Sequence, residues 1–481
     1  MEYEVLKDLQ PQEFFKWFGE ICKIPHGSYN EKQIIEFLIN FAKQRNIKYT
    51  VDEKGNVFMN IPASKGYENQ PAILFQAHTD MVCVKDEDVE FDFINDSIKL
   101  KIDGDKLTAD RTTLGADNGV GVATMLAIAD SNEILHPELE FLFTVEEEPG
   151  LIGIRAFDTK LIKARRMINM DCGDSHVLAV SSLGTHSANI KGEFKLQNTN
   201  KEYAALKLSL FGGLGGHAGI MARKGRACAG YNMGVLLSCI EEYLPCLCTM
   251  KSRGAISNLC DAIIVVKSQL VEEVKNTLTE KFKGIQTIYE RTDPNIALSI
   301  ENTELPQKCL SEKDTQNIAN LLYTIKSGLN REDGIKNSTT ITLTIFGATN
   351  LENGVFEGSY TVRSSNDADK ENLYNYYKKM ASIFGFTVKH RDIYSGWNEA
   401  NNSPFRDKCV ATHNKLFGYE PEFENVQGGI ETAIIKGSIP DMDAVGFAPT
   451  ARGAHTSHEY IFLPETPDYW KWMLELLKEK E

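Results

Sequence analysis

The sequence of 481 residues lacks an excess of positive charge. It holds 52 lysines and arginines against 67 aspartates and glutamates, which gives a formal net charge of −15 at pH 7. A surface of this sign repels phosphate backbones and anionic lipid headgroups. We therefore expect neither nucleic acid nor a membrane surface as a partner.

Long hydrophobic runs and export features are also missing. The longest apolar stretch, Gly119 to Ala129, is much shorter than the ~18 residues that a membrane-spanning helix needs. The opening Met-Glu-Tyr-Glu-Val has neither the basic nor the apolar region of a signal peptide. The 10 cysteines form no Cys-x-x-Cys pair and no regular framework, which is typical of reduced thiols. We expect a cytoplasmic protein.

Several catalytic and nucleotide-binding motifs are absent. The glycine-rich segment Gly212–Gly219 lacks the Gly-Lys-Ser/Thr ending of a phosphate-binding loop, and its glycine spacing does not fit a dinucleotide-binding turn. The chain has no Gly-x-Ser-x-Gly elbow, and no cysteine stands in a nucleophile setting. The glycine-rich segment is better interpreted as a turn that presents His217.

Buried-type strands alternate with helices in the first part of the chain. Short apolar runs at 71–77, 139–145 and 166–170 predict strands, and residues 118–130 predict a helix between the first two. This alternation is typical of an α/β domain with a central, mainly parallel sheet and flanking helices.

The pattern changes near residue 187 and changes back near residue 394. Between these points, alternating strands such as 203–210 and separate helices indicate an inserted α+β domain. We predict a discontinuous domain of residues 1–186 and 394–481, interrupted by an inserted domain of residues 187–393.

Polar side chains follow each of the three predicted strands of the first domain. His78 and Asp80 follow the first, the run Glu146–Glu148 the second, and Asp171 the third. In open α/β sheets functional groups collect beyond the carboxyl ends of the strands. Taken singly, a His-x-Asp pair is ordinarily a surface pair, and a run of glutamates is ordinarily a solvated face. The functional signal is that such groups follow all three predicted strands.

Two further residues complete a possible metal-binding set. Asp117 lies in a glycine-flanked turn before a helix, where by itself it would be an ordinary N-cap. His455 lies in a late turn-like segment. With His78, Glu148 and Asp171 they supply nitrogen and oxygen donors suited to Zn²⁺ or Mn²⁺. Two ions bridged by one carboxylate, ~3.5–4 Å apart, would match a hydrolase of the aminopeptidase kind.

These segments together resemble the aminoacyl-histidine dipeptidases, members of the dinuclear-zinc aminopeptidase/aminoacylase superfamily. The resemblance covers essentially the whole chain. It rests on Gln76-Ala-His-Thr-Asp-Met-Val82, Thr113-Leu-Gly-Ala-Asp-Asn-Gly119, Glu147-Glu-Pro-Gly150, Asn169-Met-Asp171, Gly215-Gly-His217, Arg363-Ser364 and Gly453-Ala-His455.

The resemblance implies a zinc-exopeptidase type of catalytic domain with an inserted lid domain. It also implies a metal-ligand set. His78 and Asp171 correspond to ligands of one ion, Glu148 and His455 to ligands of the other, and Asp117 to the bridge. The implied cofactors are two divalent ions, zinc first, with manganese or cobalt as alternatives.

Four further roles follow from the resemblance. Asp80 corresponds to the residue that orients the first histidine, and Glu147 to the general base that takes a proton from metal-activated water. His217 corresponds to a lid-domain histidine that stabilises the oxyanion, and Arg363 is a candidate for binding the substrate carboxylate.

Three positions depart from the family pattern, away from the proposed ligands. Gly254 stands where the family has asparagine in Arg-Asn-Ala-Ile, and Thr344 where it has asparagine in Ser-Leu-Asn. Gln427 stands for the histidine of His-Ala-Gly-Leu-Glu-Cys. These changes remove polar and ionisable groups expected around the substrate. The sequence therefore does not determine which side chains are preferred in the substrate.

We expect a metallopeptidase, a dipeptidase that cleaves dipeptides or short peptides with a free N-terminus. An amidohydrolase for N-acyl amino acids or other small amides is the alternative within enzymes. A non-catalytic metal-containing binding protein is the alternative outside them. His217 lies in the insert, so it can act with the metal residues only if the domains close over substrate or if a second subunit, in a homodimer, supplies it.

Overall fold

The computed structural model describes residues 4–216, 218–333 and 339–480, with the backbone alone for 218–220. The chain divides into two compact units. Unit 1 is Met1–Ser181, Glu399–Val426 and Ile430–Glu481, and unit 2 is Ser182–Asn398 and Gln427–Gly429. The sequence predicts domain changes at 187 and 394, whereas the units change at 182 and 399.

The α-helices alternate with strands at both ends of the chain. In chain order they are α1 (Gln12–Cys22), α2 (Lys32–Gln44), α3 (Ala116–Asp130), α4 (Ile152–Ala156), α5 (Ala218–Arg223), α6 (Ala229–Cys239), α7 (Val271–Tyr289), α8 (Glu312–Thr324), α9 (Asp367–Ile383), α10 (Pro404–Phe417), α11 (Glu431–Ser438) and α12 (Thr466–Lys478). Short 3₁₀ helices span Glu4–Leu6, Thr159–Leu161, Glu241–Tyr243, Ser268–Leu270 and Leu463–Glu465.

The strands form separate sheets in the two units. In chain order they are β1 (Lys48–Val51), β2 (Val57–Ile61), β3 (Ile73–His78), β4 (Leu100–Asp103), β5 (Lys106–Ala109), β6 (Leu139–Thr144), β7 (Arg166–Asn169), β8 (Val177–Ser182), β9 (Gly184–Glu193), β10 (Gln197–Asn198), β11 (Tyr203–Phe211), β12 (Cys246–Arg253), β13 (Leu259–Lys267), β14 (Ala297–Thr303), β15 (Lys308–Cys309), β16 (Gly328–Glu332), β17 (Ile341–Phe346), β18 (Asn350–Glu352), β19 (Val355–Ser364), β20 (Thr387–Tyr394), β21 (Glu422–Val426), β22 (Asp443–Gly446), β23 (Ala451–Arg452) and β24 (Tyr460–Phe462).

The main sheet of unit 1 has eight strands in the order β1-β2-β6-β3-β7-β22-β8-β21. The pairs β6–β3, β3–β7 and β7–β22 are parallel. The pairs β1–β2, β2–β6 and β22–β8 are antiparallel. The predicted α/β class is confirmed, with a parallel centre inside a mixed sheet.

Burial explains why the central strands are continuous apolar runs. Every residue of β3 and β6 is buried, as expected for parallel strands covered on both faces. Helix α2 instead buries one stripe, with Ile34, Leu38 and Phe41 at helical spacing. The parallel strands therefore bring their carboxyl ends to one edge of a rigid, buried sheet.

A smaller sheet also belongs to unit 1. It has four strands in the order β23-β24-β5-β4, and its pairs are antiparallel. Strands β23 and β24 flank the segment that carries His455. The smaller sheet thereby joins that segment to β5, a strand more than 300 positions earlier in the sequence.

Unit 2 is an antiparallel sheet with helices. Its main path is β14-β11-β13-β12-β18-β19-β17-β16, and β9 joins β19 to β20. Strands such as β12 alternate buried and exposed residues, the pattern of a sheet with one face on the core and one towards solvent. No helix in the described part of the chain is both long and apolar enough to cross a membrane.

The packing of α1 predicts how strongly one aromatic side chain stabilises unit 1. Phe18 is fully buried and lies near Phe14, with ring centroids 6.1 Å apart. We expect Phe18→Ala to lower the free energy of unfolding of unit 1 by about 3–5 kcal/mol, because the cavity cannot close completely. Ile94→Ala, at a side chain 62% exposed, should change it by less than about 0.5 kcal/mol. Urea titrations followed by tryptophan fluorescence measure both; equal effects would contradict this packing.

Candidate metal centre

His78 meets two carboxylates at the carboxyl end of β3. Its Nε2 lies 2.9 Å from Oδ1 of Asp117 and 3.2 Å from Oδ1 of Asp171. Asp117 lies in the first turn of α3, and Asp171 follows β7, the neighbour of β3. The side chain of His78 is only 1% exposed. The parallel sheet therefore brings together groups that are 39 and 93 residues apart in sequence.

His455 meets the same aspartate from the other side. Its Nε2 lies 3.2 Å from Oδ2 of Asp117 and 2.9 Å from Oε1 of Glu148. One atom each from His78, Asp117 and Glu148 lies within 4.8 Å of the others. The five residues His78, Asp117, Glu148, Asp171 and His455, here called the five-residue cluster, thus share Asp117 as their centre.

Asp80 contacts both His78 and the glutamate run. Nδ1 of His78 lies 2.9 Å from the carbonyl oxygen of Asp80 and 3.5 Å from its carboxylate. The carboxylate accepts hydrogen bonds from the backbone N–H of Glu147 at 2.9 Å, from that of Glu148 at 3.2 Å and from the Ser28 hydroxyl at 2.8 Å. Asp80 orients His78 chiefly through its backbone, while its carboxylate fixes the chain that carries the glutamates.

The three adjacent glutamates have different surroundings. Glu146 pairs with Lys54 at 2.7 Å, and its φ of 49° is left-handed. Glu148 contacts His455. Glu147 lies between them in sequence. Burial raises the pKa of Glu147 well above the ordinary value, although the charge of His78 lowers this pKa. The turn therefore gives each glutamate a distinct environment.

Glu459 supports the centre and has no role assigned from the sequence. It is 2% exposed. Its carboxylate accepts hydrogen bonds from the backbone N–H groups of Leu114, Gly115 and Asp117 at 2.7, 2.8 and 2.9 Å. Burial raises its pKa to about 7, although these hydrogen bonds lower it. Glu459 therefore fixes the turn that presents Asp117. In the sequence, this supporting role is indicated only by the position of Glu459 four residues after His455.

The charges of the cluster depend on one another. Burial lowers the pKa of His78, but the charge of Asp171 and hydrogen bonds to Asp117 and Asp171 outweigh burial and raise it well above the usual value. Hydrogen bonds to Asp117 and Glu148 raise the pKa of His455 to about 10. Burial raises the pKa of Asp171 to about 7. The charge of His78 opposes this shift, and the charge of Asp117 adds to it. The histidines and carboxylates of the cluster therefore shift one another's pKa values.

The donor set fits divalent cations. Imidazole nitrogens and carboxylate oxygens are the ligands that zinc and manganese accept. Each oxygen of Asp117 faces a different histidine, as a bridging carboxylate must. A cation at either side would offset the repulsion among the acids. The described residues of unit 1 therefore form a candidate metal site, in which His78, Asp117 and Glu148 lie close enough to share an ion.

The other two predicted site residues belong to unit 2. His217 lies outside the described residues. Before it, Gly215 and Gly216 have φ values of 58° and 113°, which favour glycine. Arg363 lies on β19, and its Nη1 donates to the carbonyl oxygen of Gln427 at 2.9 Å.

A buried aspartate holds two described backbone positions of unit 2. Asp293 is fully buried and accepts hydrogen bonds from the backbone N–H groups of Leu214 at 2.7 Å and Ala227 at 2.9 Å. Leu214 and Ala227 are therefore held at one carboxylate.

Two departures from the family pattern have local explanations. Gly254 has a φ of 100°, a conformation that glycine adopts without strain. Thr344 is fully buried, and Nδ2 of Asn330 donates to its Oγ1 at 2.9 Å. The side-chain amide of Asn330 therefore lies beside position 344, where the family has an asparagine and this chain has a threonine.

The chain is similar to known peptidases over nearly its whole length. The chain is 28% identical to the cytosol non-specific dipeptidase of Escherichia coli strain K12 over 98% of its own length and 99% of that protein. It is similar in structure to the aminoacylhistidine dipeptidase of Vibrio alginolyticus, with a TM-score of 0.92, 25% identity and coverage of 99% and 98% of the two chains. Aminopeptidase PepT of Bacillus cereus shares the fold at 16% identity, with a TM-score of 0.60 and coverage of 98% of each chain.

The model of one peptidase family covers most of the chain. It matches residues 74–479, a range that contains every predicted metal ligand. The resemblance deduced from the sequence is confirmed. This chain belongs to peptidase family M20/M25/M40.

Proposed function

We propose that this chain is a metallopeptidase that hydrolyses dipeptides, or short peptides with a free N-terminus, by using two divalent cations. Zinc is the first choice, with manganese or cobalt as alternatives. The observation that carries the proposal is the position of Asp117, whose two carboxylate oxygens face His78 and His455 at 2.9 and 3.2 Å. The two dipeptidases that cover nearly the whole chain support the substrate class.

The proposed ligands divide around this aspartate. His78 and Asp171 would hold one cation, Glu148 and His455 the other, and Asp117 both. When bound, such cations polarise the scissile carbonyl group and lower the pKa of water. His78, Glu148 and Asp171 lie on or after β3, β6 and β7, which are neighbouring strands of the buried main sheet, so unit 1 holds these three in fixed positions.

Glu147 is the proposed general base. It would take a proton from the attacking water and return it to the leaving amine. Its backbone is held by the Asp80 carboxylate at 2.9 Å, next to the proposed ligand Glu148. Glu146 is less suitable because its carboxylate pairs with Lys54 at 2.7 Å.

Unit 2 would supply two substrate contacts. His217 would stabilise the oxyanion that forms on the substrate carbonyl. Arg363 would bind the substrate carboxylate, for which its planar fork of N–H donors is suited. Both roles rest on the resemblance to the aminoacyl-histidine dipeptidases.

Hydrolysis of N-acyl amino acids or other small amides is the second candidate. It is favoured by the changes at Gly254, Thr344 and Gln427, which alter groups expected near the substrate. A non-catalytic binding protein would have no use for Glu147. The cytosol is the proposed compartment, as in the name of the Escherichia coli relative, and a homodimer is the proposed assembly if His217 comes from a second subunit.

Metal removal tests the proposed activity. Dipeptide hydrolysis should be abolished by a chelator and restored by zinc, with saturation at two ions per chain, measured by metal analysis and calorimetric titration. Asp117→Ala should weaken both sites because both histidines face this carboxylate, whereas His455→Ala should weaken chiefly one. Full activity at zero or one ion would contradict the two-metal centre, and faster turnover of N-acetyl amino acids than of dipeptides would favour the second candidate.

The glutamate run gives a separate prediction with built-in controls. Glu147→Gln should bind metal nearly as the wild type does but lose turnover by about 10²–10⁴-fold, because an amide cannot accept the proton. Glu148→Gln should also lose metal affinity, and Glu146→Gln should have a small effect. Metal titration and steady-state kinetics on the three variants separate these roles. Loss of turnover in Glu146→Gln with normal metal binding would show that Glu146, and not Glu147, is the base.

The proposed oxyanion role of His217 can be tested by comparing the changes in kcat and KM when the side chain is removed. His217→Ala should keep metal content and folding but lower kcat much more than it raises KM, because an oxyanion contact forms mainly in the transition state. His390→Ala, at an exposed histidine of unit 2, is the matched control and should retain normal kinetics. A higher KM at unchanged kcat would instead make His217 a ground-state substrate contact.

A further inference from the structure

Unit 1 buries a carboxylate that none of the roles above uses. Glu431 is the first residue of α11 and is 1% exposed. Its Oε2 accepts hydrogen bonds from Oγ1 of Thr144 at 2.6 Å and from Nε2 of Gln76. Burial of a polar group is unfavourable unless hydrogen bonds compensate for it. Here the compensation comes from side chains at the ends of two central strands.

A third strand end joins the same set. Nδ2 of Asn169 donates to Oε1 of Gln76 at 2.5 Å, and the two residues are direct partners in the pairing of β3 with β7. Oδ1 of Asn169 accepts the backbone N–H of Asp171 at 3.0 Å. Gln76, Thr144 and Asn169 are fully buried. With Glu431 they form a connected set, here called the polar layer.

The polar layer lies directly before the proposed metal ligands in sequence. His78 comes two residues after Gln76, Glu148 four residues after Thr144, and Asp171 two residues after Asn169. The layer therefore connects the three strands that carry these ligands. Small shifts between the strands would change the spacing of the ligands, and groups that support metal ligands contribute measurably to metal affinity.

The surroundings of Glu431 favour hydrogen bonding over charge as its contribution. Burial raises its pKa to about 8, with opposition from the Thr144 hydrogen bond and reinforcement from the charges of Asp171 and Asp80. A neutral amide of the same shape keeps an oxygen that can accept from Thr144 and Gln76. A glutamine should therefore replace this residue with little loss, whereas an apolar side chain should not.

We propose that Glu431 is a positioning residue, which, through Thr144 and Gln76, fixes the relative positions of the strand ends that carry His78, Glu148 and Asp171. This inference rests on the proposed two-metal function. It assigns to Glu431 an effect on the metal dissociation constant in addition to any effect on stability.

Zinc titration of the full-length protein tests the inference. Glu431→Leu should raise the zinc dissociation constant about 10- to 100-fold, the usual range for groups that support metal ligands. Glu431→Gln should stay within about threefold of the wild type, since it keeps the acceptor oxygen. Thr144→Val, which removes one donor and keeps the side-chain shape, should raise the constant less than Glu431→Leu. Thr144→Val added to Glu431→Leu should raise the constant by less than the product of the two separate factors, because both changes remove the hydrogen bond between Thr144 and Glu431.

Glu140 supplies the matched control. It is also fully buried on β6, where it accepts the backbone N–H groups of Lys163 and Ala164 at 3.0 Å. Glu140→Leu should lower the melting temperature and leave the zinc dissociation constant unchanged. Saturating zinc should restore kcat in Thr144→Val, which a general loss of folding would prevent. If Glu431→Leu fails to fold, Thr144→Val and its zinc affinity decide the question.

Four outcomes would overturn the inference. Unchanged zinc affinity in folded Glu431→Leu, or in Thr144→Val if the first variant does not fold, would do so and leave the two-metal function standing. Equal losses in Glu431→Gln and Glu431→Leu would show that charge is required. A raised dissociation constant in Glu140→Leu would show a non-specific effect of stability. Absence of zinc binding by the wild type would overturn the proposed function together with this inference.

Discussion

The carboxylate of Asp117 is the interaction on which the proposed centre depends. Its two oxygens face His78 and His455, which lie far apart in the chain. Asp171 and Glu148 bring further negative charge to the same place, so protons or cations must offset their repulsion. Because one aspartate contacts both histidines, the two halves of the cluster are coupled through a single side chain.

Main-chain hydrogen bonds hold this arrangement in place. Glu459 accepts three backbone N–H groups of the turn before α3, and Asp80 accepts two from the turn after β6. Both acceptors are themselves buried acids. Two buried acids thus fix the backbone beside Asp117 and Glu148, two of the proposed ligands.

The polar layer shows how the sheet and the centre are connected. Parallel strands β6, β3 and β7 are mainly apolar, apart from Glu140 and Arg166 near the start of β6 and β7, and each has a buried polar residue close to its carboxyl end. Such residues weaken a purely hydrophobic core unless they bond with one another. Their hydrogen bonds join neighbouring strands immediately before the chain reaches the proposed ligands.

Much of the fold follows from hydrophobic patterning in the sequence. Continuous apolar runs predict the buried parallel strands, the pattern of residues 118–130 predicts α3, and alternation over residues 203–210 predicts β11 of unit 2. These patterns are local, because burial on one or two faces leaves a direct record in neighbouring residues. The antiparallel edges of the main sheet and the small sheet around β23 and β24 were not predicted, since their pairings join distant segments.

The sequence by itself determined which residue types are available for a metal centre and that several of them follow strand ends. Its resemblance to the aminoacyl-histidine dipeptidases supplied the grouping of the ligands and the roles of His217 and Arg363, which stay predictions. Only the tertiary structure decided that Asp117 faces both histidines, that Asp80 holds the glutamate turn, and that Glu459 and Glu431 belong to the support of the centre. The physical reason is that such hydrogen bonds join residues up to 355 positions apart, and no local pattern in the sequence records those contacts.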